Sequence, residues 1–175
     1  MRKGVIPVGN QLSFAFDVSR CSGCMACIVA CQDQNDFVSE SLAYRHVARH
    51  EADARVFFLS LSCLHCGDAP CLMVCPTGAI FRRDHGGIVD INRDLCVGCH
   101  SCELACPFGA PKFAEDGKMA KCDFCSARME HGRKPACVRV CPTRALDFGP
   151  LEKLSQQKSD KAARTILESV VAAKR

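Results

Sequence analysis

The segment CSGCMACIVAC, from Cys21 to Cys31, sets four thiols in eleven residues with gaps of two, two and three. Three further groups follow. Cys63, Cys66, Cys71 and Cys75 are spaced two, four, three; Cys96, Cys99, Cys102 and Cys106 return to two, two, three; Cys122, Cys125, Cys137 and Cys141 carry an eleven-residue excursion. All 16 cysteines are used. A triplet of thiolates on a loop curls around one corner of an iron–sulfur cube. The fourth, on the helix that follows, points away and serves a different cube, as in two-cluster bacterial ferredoxins. The groups must therefore work in pairs, and four groups imply four [4Fe–4S] clusters.

Other chemistries fit less well. Structural zinc needs four donors and leaves each third thiol without a role. Cys96-Val97-Gly98-Cys99-His100 matches the C-x-x-C-H of haem attachment, but it lies inside a complete cluster group, so His100 is read as incidental. A radical-forming cluster needs gaps of three then two, which do not occur. His65, inside the second group, is read as a solvated loop histidine, with a hydrogen bond to a cluster as the alternative. Arg20, Arg82, Arg83, Lys121 and Arg139 lie near cluster loops and would raise potentials if they face them; solvent is the other option.

With 175 residues, no Trp and one Tyr, an apolar core is thin, and something else must help hold the fold. The start MRKGVIPVGNQLSF lacks the continuous apolar region of a secretory signal, and no run of 18 apolar residues occurs. The expectation is a cytoplasmic chain with reduced thiols and no membrane span, not a disulfide-stapled secreted domain. Formal charge is +4. Each four-iron cube with its thiolates carries about −2, so four would bring the chain to about −4. The scattered Lys and Arg thus compensate clusters and form no nucleic-acid footprint.

The elements that must position the thiols are short. Ala79–Phe81 and Ile88–Ile91 flank Gly86-Gly87 and predict a hairpin joining groups two and three. Lys112-Phe113 and Met119-Ala120 flank Gly117 and predict another. Leu12, Phe14, Phe16 and Val18 alternate onto one face, and this strand is expected to pair with one at Ala145–Phe148, joining groups one and four. Helices are expected over Met25–Asn35 and Ser101–Ala105. Glu40–Arg55 reads as a polar surface connection, its RHVARH core a solvated loop or a helical turn. Beyond Pro150, a polar stretch leads to an amphipathic helix with Ile166, Leu167, Val170 and Val171 on one side. The fold class is α+β: two bacterial-ferredoxin-like two-cluster modules, one inserted within the other. The outer module covers 1–55 plus 107–150, the inserted one 56–106, and a helical tail 151–175.

RCSGCMACIVACQDQND, FFLSLSCLHCGDAPCLMVCPTGAIFRR, DLCVGCHSCELACPFGAPKF and GKMAKCDFC with ACVRVCPTRAL carry a resemblance over roughly residues 12–149. The chain resembles the four-cluster iron–sulfur subunits of molybdopterin oxidoreductases of the dimethyl-sulfoxide-reductase superfamily. The resemblance implies four ligand sets: Cys21, Cys24, Cys27 with Cys141; Cys122, Cys125, Cys137 with Cys31; Cys63, Cys66, Cys71 with Cys106; Cys96, Cys99, Cys102 with Cys75. It implies a non-catalytic electron-transfer subunit beside a large molybdopterin-containing catalytic subunit and a membrane-anchor, quinone-linked, haem or other redox partner. The group-one cluster would lie nearest the catalytic subunit. The alternatives are a free-standing soluble polyferredoxin and a structural zinc adaptor.

Overall fold

Proline and left-handed turns punctuate this chain into short elements. The structure, a computed structural model, describes residues 11–36 and 43–173; most of the basic start, and residues 40–42 of the expected connection, lie outside them. The described strands form four two-stranded antiparallel sheets. β1 (Leu12–Phe16) pairs with β8 (Leu146–Pro150), Phe14 opposite Phe148, so the two distant segments meet as their alternation predicts. β4 (Ile80–Arg82) and β5 (Val89–Ile91) form the hairpin around Gly86-Gly87. β6 (Lys112–Phe113) and β7 (Met119–Ala120) form the next.

The helices carry the thiols. α1 (Ala26–Gln34), α2 (Pro70–Met73), α3 (Ser101–Ala105) and α5 (Ala136–Arg139) each hold the third Cys of a group as their second residue. α4 (Ser126–Glu130) fills the excursion of group four. In groups two, three and four the residue after the last Cys is proline, which has no N–H and disfavours helix in the residue before it. Those helices end before that Cys. Group one has Gln32 instead, and α1 runs on to Gln34 with Cys31 inside it. α1 packs on α5, and α2 on α3.

Two expectations need correction. From His46 on, the Glu40–Arg55 connection and its RHVARH core are a strand hairpin, not a solvated loop or a helical turn. β2 (His46–Ala52) and β3 (Arg55–Leu61) form a full hairpin, turning at Asp53 and Ala54 with φ of 49° and 60°. Both turn residues are left-handed, as a two-residue type I′ turn requires, yet neither is glycine. The hairpin stands largely exposed, so no buried alternation marked it. The boundary at 55/56 falls at the first residue of β3. The tail is likewise one helix, α6 (Leu151–Ala173), leaving β8 directly with no polar linker. Leu154 is buried, while Ile166, Leu167 and Val171 are exposed; the Val170 side chain lies outside what is described.

Lys161 Nζ on α6 donates to Asp17 Oδ2 at 2.8 Å, just beyond β1. That bond, with the Ser19 hydroxyl, lowers the Asp17 carboxyl to about 2. The tether is therefore intact above the ordinary carboxylate value and is lost as pH falls through about 2. An exposed pair contributes at most about 1 kcal/mol. Lys161→Ala is expected to raise amide exchange across the middle of α6 by up to about fivefold, with iron content unchanged; unchanged exchange would detach α6 from this contact.

Candidate iron–sulfur cluster sites

All four cysteine loops share one backbone device. The residue just before the second Cys is left-handed in each: Gly23 (φ 69°), His65 (φ 48°), Gly98 (φ 66°) and Phe124 (φ 64°). At the two glycines there is no room for a side chain. A Cβ on Gly23 would stand 2.5 Å from the Phe58 ring of β3, and one on Gly98 would stand 2.5 Å from the Gly117 carbonyl in the β6–β7 turn. Each hairpin thus lies flat on a cluster loop.

The thiols gather around cavities. One is lined by Cys75, Cys96, Cys99 and Cys102. A second is lined by Cys63, Cys66, Cys71 and Cys106. A third is lined by Cys21, Cys24, Cys27 and Cys141. Cys31, Cys122, Cys125 and Cys137 also stand together: a charge on Cys31 is opposed by Cys137 and Cys125, and the Tyr44 ring feels both Cys31 and Cys122. All sixteen thiols are free. Among the described residues no three of the His, Cys, Asp and Glu are placed to hold one metal ion. Four free thiols spread around an apolar cavity are the donor set that a four-iron cube requires, so these residues fit the group.

Burial sets the resting state of the thiols. It pushes Cys31 up to about 12 and Cys102 up to about 11, and Cys122 well above the ordinary thiol value. Ligation must therefore release protons from these sites. Cys75 and Cys141 behave differently. Burial opposes it, but backbone N–H groups of Ile80 and Ala79, with Thr77, bring Cys75 below the ordinary value; Leu146, Thr143 and Ala145 do the same for Cys141. Both threonine hydroxyls stand 3.7 Å from the sulfur. Sequence reasoning missed them, although the repeated Cys-Pro-Thr-x-Ala was the available signal.

Three thiol pairs link the four sets. Cys27 and Cys137 share one buried cluster with Leu146, Cys63 and Cys122 share another with Ala110, and Cys71 and Cys102 share the third with Ile80, Val89 and Met119. Ordered by these pairs, the sets run in a line. Further groups serve the sulfurs: Ser60 Oγ lies 3.5 Å from Cys27 Sγ, and the Met119 N–H donates to Cys96 Sγ at 3.4 Å.

His65 is not a solvated loop residue. It is fully buried on the wall of the cavity with Cys63, Cys66, Cys71 and Cys106. Burial and then the Lys121 ammonium hold its pKa well below the ordinary histidine value. A histidine between two cysteines of a loop carries no burial signal of its own. His100 stacks on Phe113 and bonds Glu103 at 2.9 Å. Of the five cations expected near the loops, Lys121 is buried beside the same cavity. Arg82 donates to the Cys66 and Gly67 carbonyls, Arg83 pairs with Asp90, and Arg20 and Arg139 are exposed. Arg45, not anticipated, is buried and donates to Ser60 and Ser62 at 3.0 and 2.8 Å.

Two family models, each described as a 4Fe-4S dicluster domain, match residues 54–151 and 20–79. The B subunit of the anaerobic dimethyl sulfoxide reductase of Escherichia coli K12 is 41% identical over 167 residues, 88% of this chain and 80% of that one. Its namesake in Haemophilus influenzae is 40% identical over 159 residues, 83% and 77% of the two chains. Protein NrfC of E. coli K12 is 44% identical over 151 residues, 82% and 67%.

Because cysteines form much of each buried cluster, iron removal should collapse the fold. Anaerobic chelation is expected to abolish about half or more of the far-ultraviolet circular dichroism. A chelated sample with an unchanged spectrum would show a core that stands without its clusters.

Proposed function

We propose a single-electron relay for this chain, which belongs to the 4Fe–4S dicluster family, with the B subunit of dimethyl sulfoxide reductase, and carries multiple [4Fe–4S] clusters. On this reading it is a non-catalytic subunit with four clusters. It exchanges electrons between a molybdopterin catalytic subunit and a quinone-linked, haem or other redox partner. The observation that carries the reading is the linear order of the thiol sets through Cys27/Cys137, Cys122/Cys63 and Cys71/Cys102.

The ligand sets we propose are Cys21, Cys24, Cys27 and Cys141; Cys31, Cys122, Cys125 and Cys137; Cys63, Cys66, Cys71 and Cys106; and Cys75, Cys96, Cys99 and Cys102. Three of them line one cavity each, which supports the exchange of last cysteines. The pairing of β1 with β8 supports an outer module of 1–55 plus 107–150 around an inserted one of 56–106, followed by the tail 151–175. Bound in these sets, the clusters supply one-electron chemistry. The chain's own residues hold and insulate them. Ile80, Val89 and Met119 exclude water between the third and fourth sets, and Phe16, Val47 and Leu146 do so at the first. Cys24 and Cys99, both exposed, stand at the two ends of the line, where partners would exchange electrons. Among the described residues no helix is long and apolar enough to cross a membrane.

Iron counting separates exchanged from unexchanged ligation. Fully assembled protein should hold about sixteen irons, and Cys21→Ala or Cys141→Ala should each lose about four. The double variant should also lose about four, since both thiols serve one cube; a loss near eight would overturn the exchange. In the native complex the chain should co-elute with a molybdenum-containing subunit at constant ratio. Elution alone at low ionic strength would favour a free-standing carrier.

A further inference from the structure

The left-handed position before the second Cys holds glycine in two loops and a large ring in the other two, His65 and Phe124. Those two rings are both fully buried and meet edge to face, centroids 5.3 Å apart. Phe124 is apolar and stacks on Phe14 at 4.2 Å. His65 brings two nitrogens into the same place, and they are not equivalent. Its Nδ1 receives the Val89 N–H at 3.1 Å. The Val89 carbonyl lies 3.2 Å from the same Nδ1 and accepts from the Lys121 ammonium. We assign the tautomer from the Val89 N–H: Nδ1, which receives it, is bare, and Nε2 carries the proton. Among the described residues, His65 Nε2 is the buried side-chain nitrogen or oxygen left with no hydrogen-bond partner.

A buried N–H without an acceptor is costly, and native proteins rarely leave one. This one belongs to a residue on the wall of the cavity of Cys63, Cys66, Cys71 and Cys106. We infer that the His65 Nε2–H is a hydrogen-bond donor to a sulfur of the cluster in that cavity. The inference rests on the ligand set proposed above. Corresponding positions offer no such donor: Gly23 and Gly98 have no side chain, and Phe124 has no polar atom. One of the four clusters is thus singled out. A donor aimed at sulfur stabilises the more negative, reduced state, so this cluster is set to a higher potential than its surroundings alone would give. The third site then becomes the electron-holding point of the inner half of the line. His65 acts here as a positioned donor, with its tautomer fixed by Val89 and its backbone held in the left-handed region that histidine tolerates better than most residues.

The test uses the full chain with its clusters assembled, labelled with ¹⁵N-histidine, and His65→Phe as the variant. Phenylalanine keeps a ring, and the chain already places one at the equivalent left-handed position, Phe124 (φ 64°). Pulsed electron paramagnetic resonance of the reduced protein should show a weak ¹⁵N coupling that vanishes in His65→Phe. In redox titration one of the four couples should shift downward by about tenfold in its reduced-to-oxidised ratio, about 59 mV for a one-electron couple. His65→Asn, which tolerates the same backbone and keeps an N–H, should move it less. About sixteen irons with neither coupling nor shift would assign the N–H to the Phe124 face and overturn the inference alone. About twelve irons in the unaltered chain, unchanged by Cys63→Ala, would remove the ligand set and the inference with it.

Discussion

The last two thiols of each group, four residues apart along one short helix or just past its end, do not line the same cavity, and the rest of the architecture follows from that division. The third Cys of each group begins a helix and the fourth lies one turn later, so no loop can close around a site by itself. Helices must pack in pairs, α1 on α5 and α2 on α3. The third thiols of each pair then meet at the join, Cys27 with Cys137 and Cys71 with Cys102. The first thiols Cys63 and Cys122 meet where the two pairs abut. One rule applied at two levels gives both the helix pairs and their docking. The four small sheets do not form a common layer; hairpins cover loops instead, as the contacts of Phe58 with Gly23 and of Gly117 with Gly98 show.

The same constraint explains where the repeat is broken. Loops one and three need glycine before the second Cys, because a hairpin lies against them. Loops two and four face each other, so the equivalent position can carry His65 and Phe124 and fill the space between modules. Leu12 performs a similar join at the rim: its side chain would meet a Cβ on Gly86 at 2.7 Å, and its N–H donates to the Gly86 carbonyl at 2.8 Å. The seam between the two helix pairs is thus packed by His65 and Phe124, whose positions in the repeat are glycine elsewhere.

Legibility in the sequence followed the source of the signal. The thiol groups, the β6–β7 hairpin, α3 and the β1–β8 pairing were readable, because cysteine spacing, glycine turns and one clear alternation encode them locally. The β2–β3 hairpin was not. Its turn is Asp53-Ala54, and His46–Ala52 is rich in charge because most of that strand faces out. The burial of His65 and Arg45 was equally hidden, since both depend on what the fold brings against them: Val89 and Phe124 for one, Ser60, Ser62 and Phe14 for the other. Proline after the last Cys is visible as a pattern, but its mechanical meaning, helix termination, emerges only from α1 running past Cys31 where proline is absent.

Arg45 and Lys121 make an electrostatic argument about what the cavities hold. Both are buried, at 2% and 4% exposure. Their partners are hydroxyls and carbonyls: Ser60 and Ser62 for Arg45, Val89 and Cys122 for Lys121. Neither is in an ion pair with a carboxylate among the described residues. A buried cation with only neutral partners is strongly destabilising. Besides His46 and His65, the groups that feel these charges are thiols: Arg45 acts on Cys27, Cys31 and Cys122, and Lys121 on Cys71 and Cys122. Two central cations set among thiols are balanced once those thiols are ionised ligands of anionic clusters. Arg45 acts across the first and second sets and Lys121 across the second and third, so the compensating charge sits where neighbouring clusters of this kind would adjoin.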